Sequence, residues 1–267
     1  FLCVPTSLHY DVWSKISKLD DFNYFIEKPL SHTFNNCDEM IFHQKRINKH
    51  AFIGYMLRLH PVLNKAKDLI GKDTIGRVLN VRAESGFYLP FWHPWEDYRD
   101  FYMSKKDQGG GALMDESHGI DLVRFIIGEI DKVGAMVDNT SDLEMTSDDI
   151  ALLILKMKNK SLVQINFDLS SRAPRVNFEI VGKNGIIIWD RIENNLKIYT
   201  TETKKWELIR FSKEDMLQMY PIQAKHFYDC VYNKQKPLTN IKDAILTQKI
   251  IDAAFESNKT EKFIKID

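Results

Sequence analysis

A lysine near the N-terminus, in the tripeptide Glu27-Lys28-Pro29, is the first residue placed to do chemistry. The apolar residues 22–26 predict a short buried strand, which puts Lys28 at the carboxyl end of that strand, where open α/β sheets bind ligands. There the ammonium could hydrogen-bond a substrate hydroxyl and ease its deprotonation while a hydride leaves the same carbon. The alternative interpretation is a surface lysine that ends a strand before a turn proline.

A second candidate is a histidine in the glycine-rich segment 109–128. On a helix, Asp115, His118 and Asp121 follow one another at intervals of three residues, so they share a face. A histidine with a carboxylate one turn to either side can be held in one tautomer and act as a general acid or base near neutral pH. The alternative is that Asp115 caps the helix and that His118 is structural.

An aromatic loop and several arginines are candidates for substrate contacts. The loop 88–98 contains Trp92 and is followed by Arg99, and rings of this kind suit stacking on a sugar or on nicotinamide. Alternatively, the rings pack against their own domain. Arg172 and Arg175 stand at the ends of predicted strands and could clamp a carboxylate or a phosphate, although exposed arginines beside a sheet are common.

The composition argues against several other classes of protein. The 267 residues include 37 basic and 37 acidic side chains, which is not the charge balance of a nucleic-acid-binding protein. The three cysteines are far apart, which argues against disulfides or zinc and favours a reducing, cytoplasmic location. The histidines show no metal-binding spacing, and no apolar run approaches the length of a bilayer span. We therefore expect no metal, no nucleic acid and no membrane partner.

The first part of the chain alternates predicted strands and helices. This β-α-β-α-β order predicts a parallel sheet, in which the helices form right-handed crossovers between the strands. The predicted elements are, in order, a strand at 1–4, a helix at 8–19, a strand at 22–26, a helix at 37–49, a strand at 52–57 and a helix at 61–70.

After Gly76 the pattern becomes that of antiparallel strands. Leu79, Val81 and Ala83 alternate with polar residues, and similar runs follow between residues 132 and 210. Strands with one polar face predict an open sheet with helices on its other face. Helices are predicted at 113–127, 221–232 and 241–257.

The predicted fold class is therefore α/β plus α+β. It consists of the C-terminal part of a Rossmann domain followed by an open, mainly antiparallel sheet domain with helices on one face. The predicted boundaries are 1–58 for the partial dinucleotide-binding domain, 59–240 for the substrate and oligomerisation domain, and 241–267 for a C-terminal helix and tail.

Taken in order, these segments resemble the glucose-fructose oxidoreductase, inositol dehydrogenase and MocA-like family over nearly the whole chain. Residues 4–9 resemble that family's tP-x-x-x-H turn, and Glu27-Lys28-Pro29 matches its EKP motif. Residues 54–61 resemble its n-x-R-f-x-P segment, and residues 109–128 resemble its glycine-rich histidine helix. The segments 177–190 and 221–266 look like the family's sheet and closing helices.

The resemblance implies a two-domain enzyme that uses NAD or NADP to oxidise or reduce a sugar, an inositol or a related compound. Lys28 would orient the substrate hydroxyl, His118 would exchange its proton, and Asp115 would position the substrate or His118. In such proteins the Lys28-Pro29 bond is often cis. The implied cofactor-lining residues are Pro5, Ser7, His9, Glu27, Lys28 and Pro29, and the expected substrate contacts are Trp92, Arg99, Arg172 and Tyr220.

Two features depart from the family pattern. Asp115 precedes His118 by three residues instead of the usual four, and Met114 occupies the position four residues back. In addition, the sequence contains no G-x-G-x-x-G turn and begins inside an apolar run at Phe1. We therefore expect a fragment that lacks roughly 60–80 upstream residues, binds NAD(P) weakly or not at all by itself, and is active only as the complete gene product.

Two other functions remain open at this point. One is a family member whose redox step assists an elimination or a hydrolysis, and the other is a non-catalytic ligand sensor with the same fold. The presence of both Lys28 and His118 favours catalysis, since a sensor need not keep both. The open sheet also predicts a homodimer or homotetramer joined through the strands between Ile150 and Trp189.

Overall fold

The computed structural model of the chain describes residues 1–19, 22–35, 37–46, 49–212 and 218–266. Its N-terminal part is a small parallel α/β unit. Strand β1 (Tyr24–Ile26) pairs in parallel with strand β2 (Ala51–Ile53), and Leu2 adds one parallel bridge to Ile26. Helices α1 (His9–Ile16) and α2 (Cys37–Arg46) connect these segments, so the predicted parallel crossover order is confirmed.

The N-terminal strands are shorter than the apolar runs predicted. Of the strand predicted at 1–4, only Leu2 is paired. The strand predicted at 52–57 ends at Ile53, because the chain turns at Gly54 and then forms a 3₁₀ turn at Met56–Leu59.

The helices of this part differ from the prediction mainly at their ends. The helix predicted at 8–19 begins as a 3₁₀ turn at Thr6–Leu8 and ends at Ile16. The helix predicted at 37–49 is described to Arg46, and its residues 47 and 48 lie outside the described residues. The next helix, α3, begins at Pro61, as predicted, and ends at Gly71.

A large sheet forms most of the remaining chain and has nine strands among the described residues. All of its strand pairs are antiparallel except the pair β3 and β6, which confirms a mainly antiparallel sheet. The strands are β3 (Val78–Tyr88), β4 (Ile130–Asp138), β5 (Ile150–Met157), β6 (Leu162–Asp168), β7 (Ser170–Gly182), β8 (Gly185–Asp190), β9 (Asn195–Thr200), β10 (Trp206–Arg210) and β11 (Ile264–Lys265). Their order in space is β10-β9-β8-β7-β3-β6-β5-β4-β11.

The alternation predicted for β3 fails at its first member. Val81 and Ala83 are buried, as expected, but Leu79 is 36% exposed. The pairing of β3 with β7 shifts register between Val78 and Asn80, so Val78 takes the buried position in place of Leu79. A one-residue shift of this kind moves a side chain to the opposite face of a sheet.

The helix predicted at 113–127 is broken into two. After a short helix α4 (Leu89–Trp92), helix α5 (Ala112–Asp115) and helix α6 (Ser117–Ile127) follow, and they are separated by Glu116, whose backbone has φ −87° and ψ 17°. The Gly119 N–H bonds to the Glu116 carbonyl, where a continuous helix would use the Asp115 carbonyl. The break therefore leaves the Asp115 carbonyl available to another donor.

Two helices close the fold. Helix α7 (Met219–Tyr232) packs on the N-terminal unit through Phe227, whose ring lies 5.8 Å from that of Phe25. Helix α8 (Ile241–Thr260) contacts β4, α6 and α2, and so touches both the large sheet and the N-terminal unit. The domain boundaries given above remain a prediction. None of the helices described is both long and apolar enough to span a membrane.

Candidate active site

The carboxyl end of β1 brings Lys28 to the start of the histidine helix. The Lys28 ammonium donates a hydrogen bond to the main-chain carbonyl of Asp115, with 2.6 Å between Nζ and O. That carbonyl is available because Glu116 interrupts the helix, as described above. The positive charge of Lys28 is also close enough to help lower the pKa of His118. Lys28 and His118, which are far apart in the chain, are thus brought to the same region of the fold.

His118 is half-buried at this cleft and is a neutral imidazole near pH 7. Burial lowers its pKa well below the ordinary value, and the positive charges of Lys28 and Arg191 lower it further. Its ring stands edge-on to that of Tyr55, with 5.7 Å between the ring centres. Its Nδ1 is buried and has no hydrogen-bond partner among the described residues. A neutral imidazole in this position is a base that can accept a proton.

The predicted clamp of His118 between two carboxylates is not formed. Asp121 instead accepts two hydrogen bonds from the buried Arg58 guanidinium, from Nε at 2.8 Å and from Nη2 at 2.6 Å. Asp115 accepts bonds from the Tyr102 hydroxyl at 2.7 Å and from the Gly111 N–H at 3.1 Å. Each carboxylate therefore has its own partners, and neither fixes the imidazole tautomer.

Asp115 ties the glycine-rich loop to the start of the histidine helix. Its side chain holds the Gly111 backbone and its carbonyl holds Lys28, so one residue joins both segments. Burial raises the pKa of its carboxyl to about 6, although Lys28 and the Tyr102 hydroxyl oppose the shift. Asp115, a candidate from the sequence, thus contacts Lys28 through the Asp115 main-chain carbonyl.

The residues expected to line the cofactor lie along the same edge, with one exception. The turn that carries Pro5 and Ser7 packs against the glycine loop, since a Cβ on Gly109 would lie 3.1 Å from the Ser7 nitrogen. The Lys28-Pro29 bond is cis, as expected.

The exception is His9, which is 1% exposed. Its Nδ1 lies 2.9 Å from the Pro29 carbonyl and its Nε2 lies 3.0 Å from the Val4 carbonyl. The neutral ring can donate its single N–H to only one of these carbonyls, but it is enclosed by backbone, which corrects the expectation that His9 lines the cofactor surface. It braces the turn behind that surface.

The expected substrate contacts fall into different places. Trp92 is 38% exposed and stands edge-on to Phe87 at 4.7 Å. The Arg172 guanidinium lies 3.7 Å over the Tyr88 ring. Tyr220 is 66% exposed, and its phenol lies close enough to Arg191 to influence the pKa of that guanidinium.

Arg99 lies apart from these contacts. Its exposed guanidinium is paired with Asp97 at 2.6 Å and with Glu144 at 3.4 Å. Because both partners are on the protein's own surface, the structure places Arg99 in a surface ion-pair group and not in the cleft.

Sequence reasoning missed a narrow cavity beside His118, with a volume of about 40 Å³. Among the residues that line it are Ser85 from β3, Glu116 from the helix break and Arg191, which follows β8. Ser85 donates to the Glu116 carboxylate at 2.5 Å. No local spacing relates these residues, because sheet pairing alone brings the ends of β3, β7 and β8 together.

The described residues at this cleft do not form a metal site. Over the part of the chain that the structure describes, no group of three or more histidine, cysteine, aspartate or glutamate side chains converges to hold a metal ion. The polar groups available at the cleft are an ammonium, an imidazole, a guanidinium and carboxyls, which suit proton transfer and the binding of an organic substrate.

Residues 67–266 match the family model described as the oxidoreductase family, C-terminal alpha/beta domain. The chain therefore belongs to the Gfo/Idh/MocA oxidoreductase family, and the resemblance inferred from its motifs is confirmed.

Known relatives and solved structures agree with this assignment. The D-xylose 1-dehydrogenase (NADP(+)) 2 of Haloferax volcanii is 22% identical over 100% of this chain and 80% of that protein. The 2,7-anhydro-N-acetylneuraminate hydratase of Mediterraneibacter gnavus is 23% identical over 80% of this chain and 57% of that protein. A solved levoglucosan dehydrogenase in complex with NADH superposes with a TM-score of 0.87 and 20% identity, covering 99% of this chain and 78% of that one. The last comparison confirms the fold.

Proposed function

We propose that the natural protein is an NAD(P)-dependent dehydrogenase or reductase that transfers a hydride between nicotinamide and a carbon of a sugar, a sugar derivative or a cyclic polyol. The observation that carries the proposal is the bond of 2.6 Å from Lys28 to the Asp115 carbonyl, which sets the ammonium beside the helix of His118. The printed activities of the xylose and levoglucosan dehydrogenases support the same chemistry and substrate class.

The edge that holds Lys28 fits the nicotinamide end of such a cofactor. Glu27 follows β1 and Gly54 follows β2, so both stand at the carboxyl ends of parallel strands. A Cβ on Gly54 would lie 2.8 Å from the Glu27 carboxylate and 3.2 Å from Gln223 Nε2. That amide nitrogen is buried and has no partner among the described residues. An acceptor and a free donor side by side suit a carboxamide.

When bound, the nicotinamide supplies the acceptor for a hydride. During oxidation, the substrate hydroxyl gives its proton to the His118 imidazole while the same carbon releases its hydride, which leaves a carbonyl product. The lowered pKa of His118 keeps the imidazole unprotonated and ready to accept. Lys28 uses one of its three N–H donors on Asp115, so the others are available to orient the hydroxyl oxygen and stabilise its developing charge.

Replacing each proton-handling residue in the natural protein tests the proposal. We expect Lys28→Met and His118→Asn each to lower kcat for NAD(P)-linked sugar oxidation by roughly 10²–10⁴-fold, while ligand binding persists. Lys72→Met is the control, because that lysine is 67% exposed and pairs with Asp68 on the surface of the protein. Turnover that persists in both variants would refute the roles of Lys28 and His118. Ligand binding without any turnover in the unsubstituted protein would favour a sensor.

A redox-assisted elimination is the second candidate function. The observation that favours it is the relative named as a hydratase, which matches 80% of this chain. Such a reaction would oxidise and then re-reduce the substrate, so the cofactor would show no net change. Product analysis by NMR under conditions of no net NAD(P) reduction separates this case from a simple dehydrogenase.

We also propose that the protein is a cytoplasmic homo-oligomer that pairs through the open face of its sheet. On that face the described part of the chain leaves apolar side chains uncovered, with Met136 at 72%, Ile154 at 49% and Leu162 at 55% exposure. A second copy of the same chain would present an identical apolar face, as two-fold interfaces require. The three unpaired cysteines support a reducing compartment.

A further inference from the structure

Arg191 is a half-buried cation without an ion pair at the cleft. It follows β8, and its N–H bonds to the Val176 carbonyl at 3.0 Å, which fixes its backbone to the sheet. Its guanidinium makes no side-chain hydrogen bond or ion pair with any described residue and lies 5.9 Å from the Phe87 ring centre. Burial lowers its pKa. A guanidinium has five N–H donors, and none of those of Arg191 is used by a described side chain, so all of them are open to a ligand.

The arginines that are fully buried in the described part of the chain show what a structural role requires. Arg58 is bound by Asp121 on two nitrogens and by Asp243 at 2.7 Å. Arg124 is bound by Glu129 and Asp243, at 2.9 Å and 3.2 Å. Both therefore have carboxylate partners within the fold, as buried charges usually do. Arg191 lacks such a partner, so its role is not that of a structural ion pair.

The neighbours of Arg191 are the groups of the active site. Glu116 and Tyr220 lie close enough to affect its pKa, and Arg191 in turn lowers the pKa of His118. Glu116 offsets part of the positive charge, but its carboxylate is bonded to Ser85 and makes no ion pair with Arg191. The guanidinium therefore faces the cavity beside the proton acceptor with its donors free.

We propose that Arg191 binds a carboxylate carried by the substrate, so that the preferred substrate is a sugar acid, such as a uronic acid, over its neutral counterpart. This assignment rests on the proposed dehydrogenase function.

A carboxylate suits the free guanidinium of Arg191 and the small cavity beside it. The cavity beside Arg191 is small, at about 40 Å³, and it opens toward the rest of the site, so it suits a compact planar group attached to a larger molecule. The two oxygens of a carboxylate match the planar fork of a guanidinium, and such charge-assisted pairs are among the stronger hydrogen bonds. The sugar ring would lie beside this cavity, between His118, which lines it, and Lys28.

Matched sugar pairs test the assignment in the natural protein with NAD(P)⁺. D-glucuronate and D-glucose share a ring and differ in a carboxylate against a hydroxymethyl group, and D-galacturonate and D-galactose form a second pair. We expect kcat/KM to favour at least one acid over its neutral partner by roughly 10- to 100-fold. Arg191→Met should abolish that preference through KM, and Arg191→Lys should retain part of it. Arg82→Met is the control, because that side chain is 64% exposed on β3.

A second measurement does not depend on turnover. Ligand binding to the folded state raises the thermal unfolding midpoint, so glucuronate or galacturonate should stabilise the unsubstituted protein and leave Arg191→Met unchanged. The variant alone should unfold at about the same temperature as the parent, because the described part of the fold gives the Arg191 side chain no ion pair to lose. A markedly lower midpoint would show that Arg191 is structural and would overturn the assignment.

The outcomes separate the two proposals. If neutral sugars are oxidised as well as their acids and Arg191→Met changes neither, the carboxylate assignment is wrong and the dehydrogenase function stands. If a phosphorylated sugar is preferred to both, the carboxylate assignment is also wrong. If no sugar is oxidised but an acid stabilises the parent and not Arg191→Met, the dehydrogenase proposal fails while the carboxylate site is supported.

Discussion

The Lys28 ammonium is held by the main-chain carbonyl of Asp115 and not by its carboxylate, with 2.6 Å between Nζ and O. The carboxylate is occupied by Tyr102 and Gly111. Lysine placement therefore depends on the backbone path through the break at Glu116, while the side chain of residue 115 holds the glycine loop. A substitution of the Asp115 side chain therefore tests the hold on the glycine loop without removing the carbonyl that binds Lys28.

The first prediction concerns the pH dependence of the reaction. Because burial and two neighbouring cations lower the pKa of His118, the imidazole stays neutral through pH 7 and is protonated only well below 6.5. The rate of sugar oxidation should therefore stay level as the pH falls from 8 to 7, and decline only in more acidic solution. A kcat/KM profile of the natural protein measures this. An NMR titration in which the His118 ring protonates at an ordinary histidine pKa would contradict the lowered pKa.

The second prediction concerns Asp115→Asn and stability. Burial raises the folded-state pKa of Asp115 from 3.8 to about 6. The folded protein thus holds this proton more tightly than the unfolded chain, and the resulting stabilisation is complete below about 3.8 and is lost as the pH rises through 6.

Urea unfolding of both proteins between pH 4 and 7 measures the effect. The stability of the parent relative to Asp115→Asn should fall with rising pH, with a slope of at most about 1.4 kcal/mol per pH unit, because the asparagine cannot titrate. A difference that does not change with pH would rule out the raised pKa.

The third prediction concerns the close contact beneath His118. A Cβ on Gly119 would lie 2.5 Å from the ring of Phe167, which is only 1% exposed. Gly119→Ala should therefore push α6 away from β6, lower stability by about 1–3 kcal/mol and reduce kcat by displacing His118. Gly71→Ala is the matched control, because nothing lies within 4 Å of its Cβ position, and we expect no loss of stability there. Equal urea midpoints for the two variants would contradict the predicted clash.

The fourth prediction concerns the ion pair behind the histidine helix. The side chains of Arg58 and Asp121 are 6% and 1% exposed. Arg58→Met would leave Asp121 with one fewer partner in a buried setting and should cost about 3–5 kcal/mol in the free energy of unfolding. Arg82→Met removes a pair in which the arginine is 64% exposed, and should cost about 0–1 kcal/mol. Similar losses for both variants, measured by chemical denaturation, would argue against a buried pair.

The fifth prediction concerns assembly. Ile154 is 49% exposed on the open face of the sheet, and a lysine there would place a charge between paired sheets. Ile154→Lys should therefore convert the proposed oligomer to monomers in light scattering coupled to size-exclusion chromatography. Ile222→Lys, at a position 39% exposed on α7, serves as a control that keeps the parent mass. A parent protein that is already monomeric would end this proposal.

The sequence was informative where the signal is local. Apolar runs and their spacing located the parallel unit, the antiparallel strands and most helices, because burial imposes those periods on nearby residues. Lys28 and His118 are likewise indicated by short motifs, and the structure brings them to the same region of the fold, while their catalytic roles stay a prediction.

The remaining features depend on contacts between residues far apart in the chain. Helical spacing predicted that Asp121 would face His118, but it pairs with Arg58, which lies on a different element. The break at Glu116 is invisible in a segment with ordinary helical periodicity. Arg191 enters the cavity only because β8 pairs with β7, which in turn pairs with β3. Pairing order of this kind is set by the whole fold.

A lysine that donates to a main-chain carbonyl tolerates more substitutions at its partner position than a lysine that donates to a side-chain carboxylate. Every amino acid carries that oxygen, so exchange at position 115 leaves the attachment of Lys28 chemically intact. Descendants of this protein are thus free to vary the acid and the loop it secures, and with them substrate preference, while the ammonium stays in place.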